Sequence, residues 1–550
     1  MKFFIIISIL FSNFLSAQVQ FLDPLNIPMY LSGSFAELRS NHFHSGMDIK
    51  TNEKEGLAVF AVQDGWVSRI KVSTWGFGHA IYISHPSGYT SVYGHLSSYN
   101  NLFSDLVLAE QYKRKSFSFD KYYKKDELKV KAGDTIAFSG NTGGSGGPHL
   151  HFEIRETASQ EPINPLLFNF SVEDTIKPIF KTLVVYQNQT KVKFVPRKIK
   201  GDFFINDTIL VYDGFELGIE TTDRGNNTKS RLGVNRIKYF LDNQLMYEYK
   251  NEKFLFSQSR YINSHIDYAE YKKNGIRVQK LFVDPGNRLN CYSVYGKYQQ
   301  IKCKQSKSVR IEIYDSKDNK SVLKFIVKRI CDKSKPSLTN SFDNGTLFSY
   351  KTEHSIKTKD FEMYLPKGAL YSDINFSYQI VDESDKIGEK VFHIHNKFTP
   401  LQKSMSIKIK KPNIESDLLN KVVIVKVEGK SISALSTKLD GGFLTAHNRY
   451  FGNYSLAIDT IAPNVEIKQL DFEANNHNLV IKISDNLSGI SSYRGTIDGK
   501  WILLEYDYKS KQLVYNINKY LEKLNMNRKL IIKVSDSVGN MTKVEQALFY

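Results

Sequence analysis

The sequence predicts a mainly β protein built from several domains, and three observations carry that expectation. The chain has 550 residues, which at roughly 150 residues per domain makes three or four domains. Its 32 Tyr and 36 Phe, together with many Ile and Val, suit strands better than helices. Apolar alternating segments such as 479–483 and 530–534 run into Asp-led turns, the pattern of β-sandwiches.

A first block, 18–172, is dense in Gly between Gly46 and Gly147. It ends near Asp174-Thr175-Ile176-Lys177-Pro178. A near copy of that stretch stands at Asp459-Thr460-Ile461-Ala462-Pro463, and a looser one at Asp332-Lys333-Ser334-Lys335-Pro336. Pro fixes φ and restricts the residue before it, which suits a strand that opens a domain. The expected β units are therefore 173–332, 333–458 and 459–550, the last Ig-like. The Asp-led turns at Asp223, Asp485 and Asp536 fit turn chemistry, in which Asp and Asn bond their own backbone. No full calcium loop of the EF-hand kind is present.

Residues 1–17, MKFFIIISILFSNFLSA, read as a signal peptide. Lys2 supplies the positive end, 3–15 an apolar run too short to span a bilayer comfortably, and Ser16-Ala17 the small residues before a cut. No later segment is apolar enough to cross a membrane. Lys plus Arg is 75 against 57 Asp plus Glu, a net charge of +18. That favours anionic partners without naming one. With an export signal, the anionic bacterial envelope is the expected partner. A nucleic-acid role rests on charge alone and is set aside. Of the three cysteines, Cys291 with Cys303 is the candidate bridge and Cys331 the odd one. None has a catalytic role.

The chemistry lies in three His clusters of the first block. His149 and His151 are two apart, in Gly147-Pro148-His149-Leu150-His151-Phe152-Glu153. On a strand, i and i+2 face one side, so both imidazoles enter one site. The Gly run before them lets backbone approach a ligand closely. His44 and Asp48 form an H-x-x-x-D pattern, and His95 stands in Tyr93-Gly94-His95-Leu96. Two His and a carboxylate make a three-ligand set for catalytic zinc with the fourth position open. His-Glu-x-x-His is absent, so the base is not the Glu of that motif and the spare histidines are candidates for the role. A second H-x-H, His393-Ile394-His395, has no ligand candidates nearby. His42 is at most a neighbour of the site, and His79 and His85 are strand and turn residues. Glu153 shares a face with His151, as a support for it or a strand-end carboxylate.

Together these motifs resemble the lysostaphin/LytM-type zinc endopeptidases over about residues 30–170. The resemblance implies an antiparallel-sheet peptidase domain, lysostaphin-like and of barrel-sandwich type, followed by the β-sandwiches. It implies His44, Asp48 and His151 as zinc ligands and His95 and His149 as catalytic histidines. It implies peptidoglycan stem peptides or cross-links as substrate, cut in the periplasm or cell envelope. Envelope polysaccharides or proteins are candidate partners of the C-terminal β domains. The alternative is a non-catalytic envelope module that binds or activates other wall hydrolases; its mark would be loss of ligands, and none is lost. Residues 99–131 exceed the shorter members. Ser104 is a candidate cap for a short helix there, in what is either a lid or surface elaboration.

Overall fold

The computed structural model describes residues 19–188, 190–295, 301–331, 345–382, 390–468, 471–473, 476–517 and 527–549. The expected signal peptide and the looser Pro-containing stretch at Asp332 lie outside the described residues. The chain is mainly β, with nearly all strand pairs antiparallel. Among the described residues no helix is long and apolar enough to cross a membrane.

The first unit is built on β1 (Leu31–Gly33), β2 (Met47–Lys50), β3 (Ala58–Phe60), β4 (Gly65–Val72), β5 (His79–Ser84) and β6 (Tyr89–Leu96). Then come β7 (Ser98–Tyr99), α1 (Asn101–Arg114), β8 (Phe119–Tyr122), β9 (Lys129–Val130), β10 (Thr135–Phe138), β11 (His149–Glu156) and β12 (Pro162–Ile163). The large sheet runs β1-β2-β11-β6-β5-β4-β8, with β12 on β11 and β9 on β4. A small sheet, β3-β10-β7, packs against it. The period-2 alternation of β11 sorts its residues. Leu150, Phe152 and Ile154 enter the apolar core with Met47 and Ile49 of β2, while His149, His151, Glu153 and Arg155 take the opposite face.

The expected helix in the insertion is α1, but its cap is Asn100, not Ser104. Asn100 Oδ1 accepts from Phe103 N at 2.9 Å, whereas the Ser104 hydroxyl donates to Tyr99 O. Phe103 and Val107 tie the helix to the core. The Cys pairing also differs from expectation: Cys303 bonds Cys331, and Cys291 is free and buried. The reason is a hairpin. Strands Ser306–Tyr314 and Lys320–Arg329 pair in register, and Lys304 N donates to Arg329 O, so the two cysteines meet at the hairpin's open end.

Beyond residue 172, pairs of sheets share common cores. A four-stranded and an eight-stranded sheet enclose one containing Leu183, Ile219, Ile237 and Ile311. Two five-stranded sheets enclose another around Phe361, Ile407 and Tyr454. A third, around Ile481 and Ile532, lies between the last two sheets. The first of these cores also takes in Phe35, Ala36 and Phe43 of the N-terminal unit. Phe35 and Phe43 both pack on Phe254, and Phe43 N donates to Ser259 Oγ at 2.8 Å. The loop leading into His44 is thus anchored outside its own sheet.

Candidate metal centre

Strand order assembles the site. In the register of β11 against β2, His151 stands opposite Asp48; against β6, it stands opposite Gly94. Asp48 and the residue after Gly94 are therefore brought to His151 from both sides. His44 reaches the same point from the turn before β2. Gly46 lies so close to the Phe152 backbone that a Cβ would collide with it, which explains the small residue between the two ligand candidates.

Three atoms converge. His44 Nε2 lies 3.0 Å from Asp48 Oδ1, His151 Nδ1 lies 2.9 Å from the same oxygen, and the two nitrogens are 3.1 Å apart. The outer ring nitrogens are already engaged. His44 Nδ1 is 2.8 Å from Ser34 O, a pure acceptor, so it carries the proton. His151 Nε2 is 2.9 Å from Glu153 Oε1, likewise an acceptor. The three inner atoms point at one another, so the space between them is filled either by a proton that His151 Nδ1 shares with Asp48 or by a cation that takes its place. Burial opposes charge on His151, but its bonds to Asp48 and Glu153 outweigh this and raise it to about 9. Burial likewise opposes charge on Asp48, yet His44 and the bonds from His149 and His151 hold it well below the usual carboxylate range. Two imidazole nitrogens and one carboxylate oxygen about 3 Å apart match the donor set of catalytic zinc, with ligand atoms about 2.0–2.2 Å from the ion. The residues present fit the metal.

His95 and His149 flank the triangle. A one-residue bulge in β6 separates His79↔Leu96 from Ile81↔Tyr93 and sets His95 at φ +60°. Bulges re-aim side chains at sites, and a non-Gly residue held there is strained. His95 Nδ1 is bonded to Thr142 O at 2.7 Å, and His149 Nδ1 to Gly147 O at 2.8 Å. The two rings are 4.8 Å apart, and His149 Nε2 lies 3.5 Å from Asp48 Oδ1. Burial, with His151 and His149 beside it, lowers His95 to about 3, so it is neutral at physiological pH. The Gly-rich loop closes on the loop of Gly76 and Gly78. Gly143, at φ +65°, meets the Gly78 backbone where any Cβ would clash.

The model of peptidase family M23 matches residues 42–112 and 106–165, the stretch that holds all five of these residues. Residues 42–165 form an M23 peptidase domain. A Zu5-like domain model matches residues 308–459, which includes most of the hairpin of the preceding unit as well as the third unit. Over 129 residues the chain is 30% identical to the DD-carboxypeptidase/endopeptidase Mpg of Neisseria meningitidis serogroup B, covering 24% of this chain and 23% of that protein. It is 34% identical over 123 residues to a Haemophilus influenzae protein named uncharacterized metalloprotease, covering 22% and 20%. The likeness thus spans less than a quarter of either relative. The solved catalytic domain of lysostaphin from Staphylococcus simulans is 26% identical, with 24% of this chain and 86% of that one covered at a TM-score of 0.19.

Around the M23 site, three residues hold the ligand candidates: Glu153, for which the sequence left open a support or a strand-end carboxylate, and Arg39 and Phe77, which the sequence did not single out. Glu153 takes His151 on Oε1, and Arg155 Nε on Oε2 at 2.5 Å; Ser45 also donates to it. Burial would raise Glu153, but Arg155 and His151 bring it down to about 2. Its signal was present in the i, i+2 spacing. Arg39 Nη2 grips Asp48 Oδ2 at 3.0 Å, and the Phe77 ring stacks on His151 at 4.6 Å. Neither spacing reveals its role, because both reach the site from loops. His42 Nδ1 bonds Ser40 O at 2.8 Å, away from the triangle, and His85 lies in the β5–β6 turn. In the second H-x-H, His393 bonds Asn453 and His395 bonds Thr399.

Proposed function

We propose that this chain is an exported zinc metalloendopeptidase that hydrolyses peptide bonds in peptidoglycan stem peptides or cross-links. The observation that carries the reading is the triangle of His44 Nε2, Asp48 Oδ1 and His151 Nδ1, flanked by two more histidines. His44, Asp48 and His151 would hold zinc, which when bound supplies Lewis-acid polarisation of a carbonyl and acidified water. His95 and His149 each have Nδ1 committed to a backbone carbonyl, which leaves Nε2 for proton transfer. Between them they accept the proton of the attacking water, steady the oxyanion and return a proton to the leaving amine. Carboxypeptidase and endopeptidase activity in the name of the Neisseria relative supports peptide-bond cleavage.

Export rests on residues 1–17, and the net charge of +18 suits an anionic envelope. The later β units would dock envelope polysaccharide or protein partners. The test is digestion of purified peptidoglycan by the chain lacking residues 1–17, with fragments identified by mass spectrometry. Cross-link or stem-peptide fragments that vanish with chelator and return with zinc are expected. A zinc-loaded protein that releases none contradicts the substrate assignment.

A further inference from the structure

Two clusters of three carboxylates stand outside the catalytic domain, and they are built alike. In the first, oxygens of Asp174, Asp223 and Asp315 all lie within 4.8 Å of one another. In the second, oxygens of Asp459, Asp485 and Asp536 do the same. Each begins at one of the two Asp-Thr-Ile-x-Pro stretches and ends at an Asp-Ser-x-x-Asn turn. The supporting bonds repeat atom for atom. Asn319 Nδ2 donates to Asp174 O at 2.9 Å, and Asn540 Nδ2 to Asp459 O at 2.8 Å. The Asp315 carboxylate takes the backbone N–H groups of Lys317 and Asn319, and the Asp536 carboxylate those of Val538 and Asn540.

Turn chemistry accounts for those bonds but leaves one oxygen in each cluster without a role. Asp223 is 3% exposed, and its Oδ1 is shielded from solvent with no hydrogen-bond donor. Asp485 Oδ1 in the second cluster is likewise shielded and undonated. Among the described residues no Lys, Arg or His forms an ion pair with any of the six carboxylates. A buried carboxylate oxygen with neither donor nor counter-charge is costly. Crowding three carboxylates around it adds repulsion. A cation at the centre resolves both. An all-oxygen, carboxylate-rich donor set is that of a hard cation, and a loosely shaped set drawn from three separate turns suits calcium better than magnesium's strict octahedron.

We propose that Asp174, Asp223 and Asp315 form a calcium site and that Asp459, Asp485 and Asp536 form its repeat. Both stand at joints between units. The cavity beside the first is lined also by Met29, Tyr30 and Leu166 of the N-terminal unit. Beside the second, Lys421 Nζ donates to Val538 O, and Leu487 and Val538 pack on Val423 and Val425. Bound calcium would therefore lock the angle between successive units and stiffen the chain. The inference stands independently of the catalytic reading.

The test uses the full mature chain with calcium alone as probe, in equilibrium dialysis and thermal unfolding. About two calcium ions per chain are expected at millimolar calcium, about one in Asp223→Asn or Asp485→Asn, and none in the double variant. Asn is nearly isosteric and relieves repulsion. So without calcium Asp223→Asn should melt no lower than wild type, whereas with calcium wild type should gain several degrees and the variant fewer. Absence of calcium binding, or wild-type stoichiometry in both variants, would overturn the proposal. So would magnesium occupying both sites equally well.

Discussion

The imidazole of His151 is held between two carboxylates, with Nε2 2.9 Å from Glu153 Oε1 and Nδ1 2.9 Å from Asp48 Oδ1. Glu153 is fully buried and also holds Arg155, so its charge fixes the tautomer that turns Nδ1 toward the site. Glu153→Gln is expected to keep the side chain's shape but weaken zinc binding by about 10–100-fold, the usual effect of removing such a support. Competition with a chromophoric chelator measures it. Unchanged affinity would mean that the strand alone orients His151.

Phe43 precedes His44 and is 1% exposed within the core of the next unit. Phe43→Ala should cost about 3–5 kcal/mol of local stability and loosen the turn that presents His44. Hydrogen exchange over residues 34–48 is expected to rise, with zinc affinity falling alongside it. A change confined to residues beyond 172 would show that the ligand turn stands without this anchor.

His265 gives the acid limit of the second unit. It is 1% exposed, stacks on Tyr249 at 4.5 Å, and its Nε2 is buried without a partner. Burial, aided by Lys280, lowers it to about 3. The folded state thus binds fewer protons than the unfolded one below the ordinary His value. Stability is fully present above about pH 6.5 and is lost as pH falls toward the folded value, about 2 kcal/mol of it between about pH 7.5 and about pH 5. Urea unfolding of wild type and His265→Phe at the two pH values checks this. The variant should lose less stability on acidification.

The last unit touches the rim of the catalytic domain. Tyr508 stacks on Trp75 at 3.8 Å, and Lys509 Nζ donates to the carbonyls of Asn141 and Ser145 in the Gly-rich loop. These contacts join the two loops that carry Phe77 and lead into His149. Replacing both residues by Ala should lower turnover by up to about tenfold through misplacement of these loops, with zinc content unchanged. Equal turnover would show that the loops hold themselves.

Much of the site was legible because it is made of local spacings on a sheet. The two-residue step from His149 to His151 puts both on one face, and the same step extends to Glu153. What the sequence does not display is contact between distant loops. Arg39 reaches Asp48 through the turn between β1 and β2, and Phe77 reaches His151 from a loop. The cap is Asn100 and not Ser104 although both residue types suit capping, and the position of Phe103 in the core decides between them. The disulfide differs from expectation for a similar reason. Closeness in sequence favours Cys291 with Cys303, but hairpin register brings Cys331 to Cys303. The mainly β architecture was readable from composition and turns, whereas the carboxylate clusters appeared only as three separate turns.

The most direct measurement is zinc content and peptide cleavage, side by side, in His95→Ala, His149→Ala and His151→Ala. The first two should retain about one zinc per chain and lose about 10²–10⁴-fold in cleavage, while His151→Ala loses both. If His149→Ala lost the metal and His151→Ala kept it with activity intact, the assignment of ligands and catalytic histidines would be contradicted.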